Sequence, residues 1–453
     1  MSNTVEWVSR LQRIVGDAHV IHDSDGLGAE AVDGKVPKVI ASPATIDQVS
    51  EIVAYAREQG LAIIPKGNGT KMGMGTIPKK ADLVLSTGRL NRIIDCDCDN
   101  LTLSVESGVT LNEIQRDLKE KGYFLPLDPP FTERATLGGI VSTNSSGPKR
   151  LLYGTARDLI TGIKAVFPNG DIVVSGGKTV KNVSGFDMVK LLIGSLGTLA
   201  VICEITFKLL PLPEKEQTLL IPFPGLDKAN EFAREIMKSQ LNPASLDLLN
   251  STAANRVKHL RAFQKAKYFA AIGLEGVSEA VDRQVSEIGD MGKEHGALEA
   301  VCLDPEHHHD FWIAIRDFAQ ELVKDSPDLV SLKSNALISK GTEMIGTYER
   351  IAQRVGLDCA LVCHAGSGIV YAHVLADKDL SSKMDSLVDL ITQFAAEASR
   401  AEGHLTVESC SLPIKERVNV WGEGRSDFRI MQRLKEEIDP AGTLNPGRYV
   451  GGL

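Results

Sequence analysis

Two runs of small residues limit this chain more than anything else in it: Pro65-Lys-Gly-Asn-Gly-Thr-Lys-Met-Gly-Met-Gly75 and Ala135-Thr-Leu-Gly-Gly-Ile-Val-Ser-Thr-Asn-Ser-Ser-Gly147. Each offers backbone N–H groups that an anion can approach without meeting a side chain. One such loop says little, because surface turns also collect Gly, Asn and Thr. Two in sequence suit a long diphosphate ligand better than a single phosphate. A third segment, Gly194-Ser-Leu-Gly-Thr-Leu-Ala-Val-Ile-Cys-Glu204, strengthens the pattern. Neither of the commoner nucleotide loops fits. Gly67-x-Gly69 has Met72 where a Rossmann fingerprint needs its third glycine, and no Walker lysine precedes Ser or Thr in the required context.

The chain has 453 residues, more than one core usually holds, so two domains are expected. A net charge of −9 argues against nucleic-acid binding. No run of 18 apolar residues predicts a membrane span, and the start of the chain lacks the basic and apolar regions of a signal peptide. A cytoplasmic protein is expected. The 7 cysteines are scattered, with Cys96-x-Cys98 and Cys359-x3-Cys363 the only close pairs. They read as reduced thiols and lack the spacing of an iron–sulfur cluster.

Apolar periodicity predicts a helix over 4–15 and another after the capping Thr45. Leu61-Ala-Ile-Ile reads as a strand running into the first loop, and Pro168-Asn-Gly170 as a hairpin turn. Leu209-Leu-Pro-Leu-Pro213 interrupts both kinds of element and marks a boundary. Beyond it a β-α-β-β-α-β rhythm predicts a compact α+β domain, with no internal repeat in the sequence. His307-His-His309 reads as a solvated loop.

The order of the glycine segments, continued by Tyr153-Gly-Thr-Ala-Arg-Asp158, resembles the FAD-binding domain of the vanillyl-alcohol oxidase and p-cresol methylhydroxylase flavoproteins over nearly all of residues 38–212. Lys181-Asn-Val-Ser-Gly-Phe-Asp-Met188 and the ending Asp439-Pro-Ala-Gly-Thr-Leu-Asn-Pro-Gly-Arg448 are similar to bacterial glycolate oxidase FAD subunits and D-2-hydroxyacid (D-lactate) dehydrogenases. The resemblance implies an α+β fold: a two-lobed FAD-binding domain of the p-cresol methylhydroxylase type and a ferredoxin-like cap. The expected division is 1–212, with 411–453 returning to it, and 213–410 as the cap. It implies that FAD is held by Pro65, Lys66, Gly67, Asn68, Gly69, Thr70 and Lys71 of the first loop. Pro129 of the stiff Leu125–Pro130 segment would wall the ring. Thr136, Gly138, Gly139, Ser142, Asn144 and Gly147 of the second loop would embrace the pyrophosphate and ribityl chain. Val201 and Ile202 would lie by the adenine, and Asn445 would return to the flavin. Some relatives attach flavin through a histidine in the first loop or a cysteine in the second; neither loop has one, so non-covalent FAD is expected.

The resemblance also implies a small 2-hydroxy acid substrate, oxidised by hydride transfer to the flavin. Arg316 and Lys333 align with residues that hold its carboxylate. Active relatives carry His-x-Gly-Asp-Gly-Asn-x-His and Glu-His-Gly around a divalent metal. Here His364-Ala-Gly-Ser-Gly-Ile-Val-Tyr371 and Glu408-Ser-Cys410 retain His364 and Glu408, with His373 as a substitute ligand. A metal set of His364, His373 and Glu408 is therefore one expectation, and core histidines the other. Because this motif is degenerate, the leading expectation is a flavin subunit of a multisubunit dehydrogenase. It would pass electrons between a catalytic partner and an iron–sulfur protein, its partners being a second flavin subunit, an iron–sulfur protein or both, at the inner face of the membrane through such a partner. The alternatives are a self-sufficient glycolate or D-lactate dehydrogenase with His364 and His373 in its catalytic site, and a non-catalytic assembly scaffold.

Overall fold

Helix Ile46–Glu58 begins at Thr45, whose hydroxyl accepts the Gln48 N–H at 3.2 Å, and buries Val49, Ile52, Val53 and Ala56 on one face. It connects β2 (Val39–Ala41) to β3 (Ile63–Lys66), both parallel to β4 (Leu83–Ser86), and β1 (Val20–Ile21) completes a four-stranded sheet in the order β1-β2-β4-β3. These belong to a computed structural model describing residues 2–178, 187–261, 263, 265–375, 380–424 and 426–453. The chain forms two units. One comprises Met1–Ser146, Thr155–Leu212 and Glu423–Leu453; the other comprises Gly147–Gly154 and Pro213–Gly422.

In the first unit a five-stranded antiparallel sheet follows, built from β5 (Ile93–Asp97), β6 (Thr102–Glu106), β8 (Ile160–Val166), β9 (Ile172–Gly176) and β10 (Val201–Lys208), in the order β5-β6-β10-β8-β9. A short pair, β7 (Tyr123–Phe124) and β11 (Leu210–Pro211), lies outside it. The turn at Pro168–Gly170 joins β8 to β9, with Gly170 at φ 88°. The C-terminal tail rejoins at the first sheet: Ile63 donates to Thr443 O at 2.7 Å and accepts from Asn445 N at 2.8 Å. Leu444 thus lies beside β3, immediately ahead of the first glycine loop.

The second unit carries one eight-stranded antiparallel sheet made of two β-α-β-β-α-β repeats. The first uses β12 (Lys215–Phe223), β13 (Ser245–Asn250), β14 (Tyr268–Gly276) and β15 (Val301–Leu303). The second uses β16 (Val330–Asn335), β17 (Asp358–His364), β18 (Ile369–Leu375) and β19 (His404–Ser409). The order β15-β12-β14-β13-β17-β18-β16-β19 places fourth, first, third and second strands together in each repeat, joined second to second. Each repeat is thus ferredoxin-like. This structural repeat leaves no sequence repeat, because either copy needs only alternating burial along its strands.

Helices Leu226–Lys238, Ser278–Glu294, Ile338–Arg354 and Leu380–Arg400 cover one sheet face. Shorter helices, Pro305–Arg316 and Phe318–Asp325 among them, cover part of the other. The three histidines expected in a loop lie on Pro305–Arg316 instead. Asp304 caps that helix and Pro305 starts it, so the helix begins before His307. His308 is buried, with Nδ1 2.7 Å from Thr218 Oγ1.

The return to the first unit begins at Glu423, later than residue 411. Ile414 and Val420 are buried in the second unit's core, and Val407 N donates to Val420 O at 2.8 Å. Residues 147–154 also group with the second unit. Tyr153 donates to Glu275 at 2.7 Å, and Lys149 pairs with Glu216 at 3.2 Å and with Glu275.

Candidate functional site

The two glycine loops of the first unit face one another. Strand β3 delivers Pro65 and Lys66 to the start of the first loop, and a Cβ placed on Gly67 would sit 2.2 Å from Thr136 Oγ1. Thr136 caps helix Leu137–Thr143, accepting the Gly139 N–H at 3.2 Å. That helix starts close against β6: a Cβ on Gly138 would meet Ser107 Cβ at 2.6 Å. It ends at Asn144 in the left-handed region, φ 48°. The third segment closes in from the side, as Gly194 N donates to Val141 O at 3.0 Å and Leu196 N to Ser142 O at 2.8 Å. Asn68 Nδ2 donates to Arg134 O at 2.9 Å, tying the tip of the first loop to the approach of the second.

A cleft lies between these segments. Pro65, Lys66, Gly67, Asn68, Gly69, Thr70, Lys71 and Met72 line it from the first loop, with Thr136, Gly139, Ser142 and Ser145 from the second. Leu196, Asn445 and Arg448 complete the wall. Other expected residues stand elsewhere. Gly138 and Asn144 shape the ends of the helix, and Pro130 rather than Pro129 lines the cleft. Gly147 falls in the segment that groups with the second unit. Val201 and Ile202 are buried in two neighbouring cores through β10, away from the cleft lining. Residues 181–186 of the Lys181–Met188 motif lie outside the described residues.

Charge in the cleft is distributed differently from the sequence expectation. Lys66 is ion-paired to Glu30, so its ammonium is already compensated. Arg448, only 4% exposed, is a second paired cation there: its Nη2 donates to Met72 O at 2.7 Å and to Met74 O, and its Nη1 lies 3.8 Å from Asp33 Oδ2. Sequence reasoning quoted Arg448 as the end of a motif without assigning it to the site. Asn445 is held at φ 49°, with Nδ2 donating to Leu196 O at 2.6 Å. Behind it, Lys435 Nζ donates to Asp439 Oδ2 at 2.6 Å, Thr198 O at 2.7 Å and Leu444 O at 2.9 Å, a buried knot that fixes the tail.

These residues fit a flavin dinucleotide. Ser145 Oγ and Asn445 Oδ1 are buried at the cleft with no protein hydrogen-bond partner. The glycines leave the wall bare where a Cβ would fill the gap between the loops, and Lys66 and Arg448, each beside one carboxylate, line the same cleft.

In the second unit, alternation along the strands brings a polar cluster to one face of the sheet. Asp247 on β13 stands opposite His364 on β17, and the His364 Nδ1–Asp247 Oδ1 distance is 2.8 Å. The Tyr371 ring centroid lies 5.3 Å from that of His364 and 6.2 Å from that of His373, and Lys333 Nζ is 5.6 Å from the Tyr371 ring. A bulge in β19 between the partners of Ser331 and Leu332 frees Glu408, whose Oε1 is 3.6 Å from Lys333 Nζ. Burial pushes the His373 imidazole down to about 4, against a smaller opposing pull from Glu408, and its Nδ1 is 3.0 Å from Ser331 Oγ. Phe318 packs 5.3 Å from His373, so Arg316, at the end of the preceding helix, belongs to this face. Its Nη2 lies 3.8 Å from Asp317.

Among the described residues no three His, Cys, Asp or Glu side chains converge as a metal set. His364, His373 and Glu408 each face another partner: Asp247, Ser331 and Lys333. Asp247 carried no sequence signal. It reads as an ordinary alternating strand residue until β13 is paired with β17.

The family described as FAD binding domain matches residues 37–176, and that described as FAD linked oxidases, C-terminal domain, matches residues 212–449. Glycolate oxidase subunit GlcD of Bacillus subtilis (strain 168) is 28% identical over 417 residues, 91% of this chain and 89% of the relative. A D-lactate dehydrogenase of Archaeoglobus fulgidus is 28% identical over 458 residues, 99% of this chain and 100% of the relative. In fold the chain is similar to p-cresol methylhydroxylase solved with substrate bound, with a TM-score of 0.78 at 17% identity, covering 99% of this chain and 97% of that one. Two domain matches in order, the second spanning more than half of the residues, place the protein: it belongs to the FAD-linked oxidase family and is an FAD-dependent oxidoreductase.

Proposed function

We propose that this chain is the FAD-bearing subunit of a multisubunit 2-hydroxy acid dehydrogenase, acting on CH–OH groups and passing electrons to an external acceptor. One observation carries the reading: three of the four cationic or imidazole candidates for substrate chemistry are already matched to a carboxylate of their own unit, and the fourth, His373, to Ser331. Lys333 faces Glu408, Arg316 faces Asp317 and His364 faces Asp247. A free substrate carboxylate would compete with all three. The similarity to a glycolate oxidase subunit supports the same reading, and so do the scattered cysteines, which leave iron–sulfur chemistry to a partner. When bound, FAD supplies a two-electron acceptor. The chain's own part is to hold it non-covalently, with the loops at Gly67–Thr70 and Thr136–Ser142 around the diphosphate and Arg448 balancing its charge. The cleft's fit to the dinucleotide speaks against a scaffold without cofactor.

The Asp247–His364 pair favours a second reading, a self-sufficient dehydrogenase. With Nδ1 fixed on Asp247, His364 would present Nε2 to take the hydroxyl proton, and Lys333 would leave Glu408 for the substrate carboxylate. A divalent ion would need His364, His373 and Glu408 to turn from their present partners.

Anaerobic titration of the purified flavoprotein with glycolate and both lactates separates the readings. A flavin unchanged by all three, yet reduced by dithionite and reoxidised by an iron–sulfur protein, fits the subunit. Bleaching by any of them overturns it in favour of the second reading.

A further inference from the structure

Cys96 and Cys98 lie near the end of β5, an edge strand of the five-stranded sheet. Side chains two apart on a strand share a face, and here the sulfurs are 3.8 Å apart. Both residues are partly exposed, as is Cys410, and Cys302 is exposed, whereas Cys203, Cys359 and Cys363 are buried. Lys121, from the turn after helix Leu111–Lys119, brings Nζ to 3.5 Å from Cys96 Sγ. The turn after Cys98 is braced independently: Leu101 N donates to Cys98 O at 3.2 Å and Asn100 N to Asp97 Oδ1 at 3.1 Å. The pair is therefore accessible and in near contact, with the Lys121 ammonium in direct contact with Cys96 Sγ.

We propose that Cys96 and Cys98 form a thiol–disulfide exchange site for low-molecular-weight disulfides, with Cys96 as the attacking sulfur and Cys98 as the resolving one. The Lys121 ammonium 3.5 Å from Cys96 Sγ and the Cys98 Sγ 3.8 Å away are the neighbours that favour Cys96 as the attacking sulfur. Burial and the neighbouring Cys96 push the Cys98 thiol up, which keeps its proton in place during the first step. The Cys96 thiolate attacks one sulfur of the disulfide, forming a mixed disulfide and expelling one thiolate. Cys98 then gives up its proton, its sulfur attacks Cys96 Sγ, and the second thiolate leaves. Two protein thiols are oxidised, the external disulfide is reduced to two thiols, and both protons end on the products. Two residues of strand span about 6.6 Å between Cα atoms, near the upper limit for a disulfide, so the closed form is readily reduced again.

The test treats the FAD-loaded protein, with Cys302→Ser and Cys410→Ser in every variant to remove the other accessible thiols, with 5,5′-dithiobis(2-nitrobenzoate) and follows released thiolate, intact mass and peptide maps. The wild type is expected to show a fast phase releasing two thiolates and ending in a Cys96–Cys98 cross-link without retained reagent. Cys98→Ser should keep the fast attack but stop at a stable adduct on residue 96. Cys96→Ser should lose the fast phase, and Lys121→Met should slow it about tenfold. Unchanged flavin absorbance verifies that each variant is folded. A fast phase that survives Cys96→Ser, or a wild-type product with reagent retained on both cysteines, would overturn the proposal.

Discussion

Gly67→Ala is the smallest change that should separate the two loops. The new Cβ would lie 2.2 Å from Thr136 Oγ1 and 3.2 Å from Thr136 Cβ and Cγ2, roughly 1 Å too close to the oxygen. Thr136 cannot simply rotate, because its hydroxyl caps helix Leu137–Thr143 through the Gly139 N–H. Losing that cap costs about 1 kcal/mol, and an off-rotamer threonine about another 1 kcal/mol. Spread over the cleft, about 2 kcal/mol is roughly a thirtyfold weakening of FAD binding. Titration of apoprotein with FAD, followed by flavin fluorescence, measures it, and the melting temperature reports the cap. Thr136→Gly gives the decisive control, since glycine still tolerates the cap position at a cost of only a few tenths of a kcal/mol. In the double variant the clash is gone, so the two costs should fall well short of additive. Wild-type affinity in Gly67→Ala, or strict additivity in the double variant, would refute the facing-loop reading.

Further outcomes follow from the same geometry. Gly69→Leu should strip flavin with the fold retained, because φ is +73° there and the side chain would enter the cleft; absorbance at the flavin band per protein measures it. Lys435→Met leaves Asp439 buried without its cation and should cost about 3–5 kcal/mol in denaturant unfolding, loosening Asn445 with it. Glu275 is pushed up by burial and by Glu216 opposite, against the pull of Lys149. Its contribution to stability is present below the ordinary carboxylate range and is lost as pH rises through its raised value, so Glu275→Gln should flatten that part of the melting profile. His364→Ala should leave FAD bound and electron throughput unchanged in the subunit reading. Stability should fall by about 3–5 kcal/mol from the stranded Asp247 carboxylate, a loss that Asp247→Ala in the same chain should largely reverse.

What the sequence revealed of the fold follows from how local each signal is. Thr45, Pro168–Gly170 and the apolar spacing of Val49, Ile52, Val53 and Ala56 act within a few residues, and each sits where its local chemistry sends it. The ferredoxin-like repeat was half visible. The first β-α-β-β-α-β rhythm reads directly, but the second became apparent only when β17 was found paired to β13, a contact between strands more than 100 residues apart. The His307–His309 stretch misleads for the opposite reason. Histidine is a weak helix former, yet the Asp304 cap and Pro305 set the helix start, and tertiary burial of His308 against Thr218 does the rest.

The same distinction governs the sites. Loop residues such as Gly67 and Thr136 were legible because the close approach of the two loops demands small residues there, whatever surrounds them. Which cations line the cleft was only partly legible. Lys66 is adjacent in sequence and paired with Glu30, while Arg448, paired with Asp33, reaches the cleft only because the tail lies beside β3 through Leu444. In the second unit, the expected residues His364, His373, Lys333 and Glu408 do share a sheet face, yet their chemistry depends on partners that strand register alone supplies. Asp247 reaches His364 across β13 and β17, and Glu408 reaches Lys333 through a one-residue bulge. Moving either register by one residue would turn these side chains to the opposite face and leave a different set of charges there.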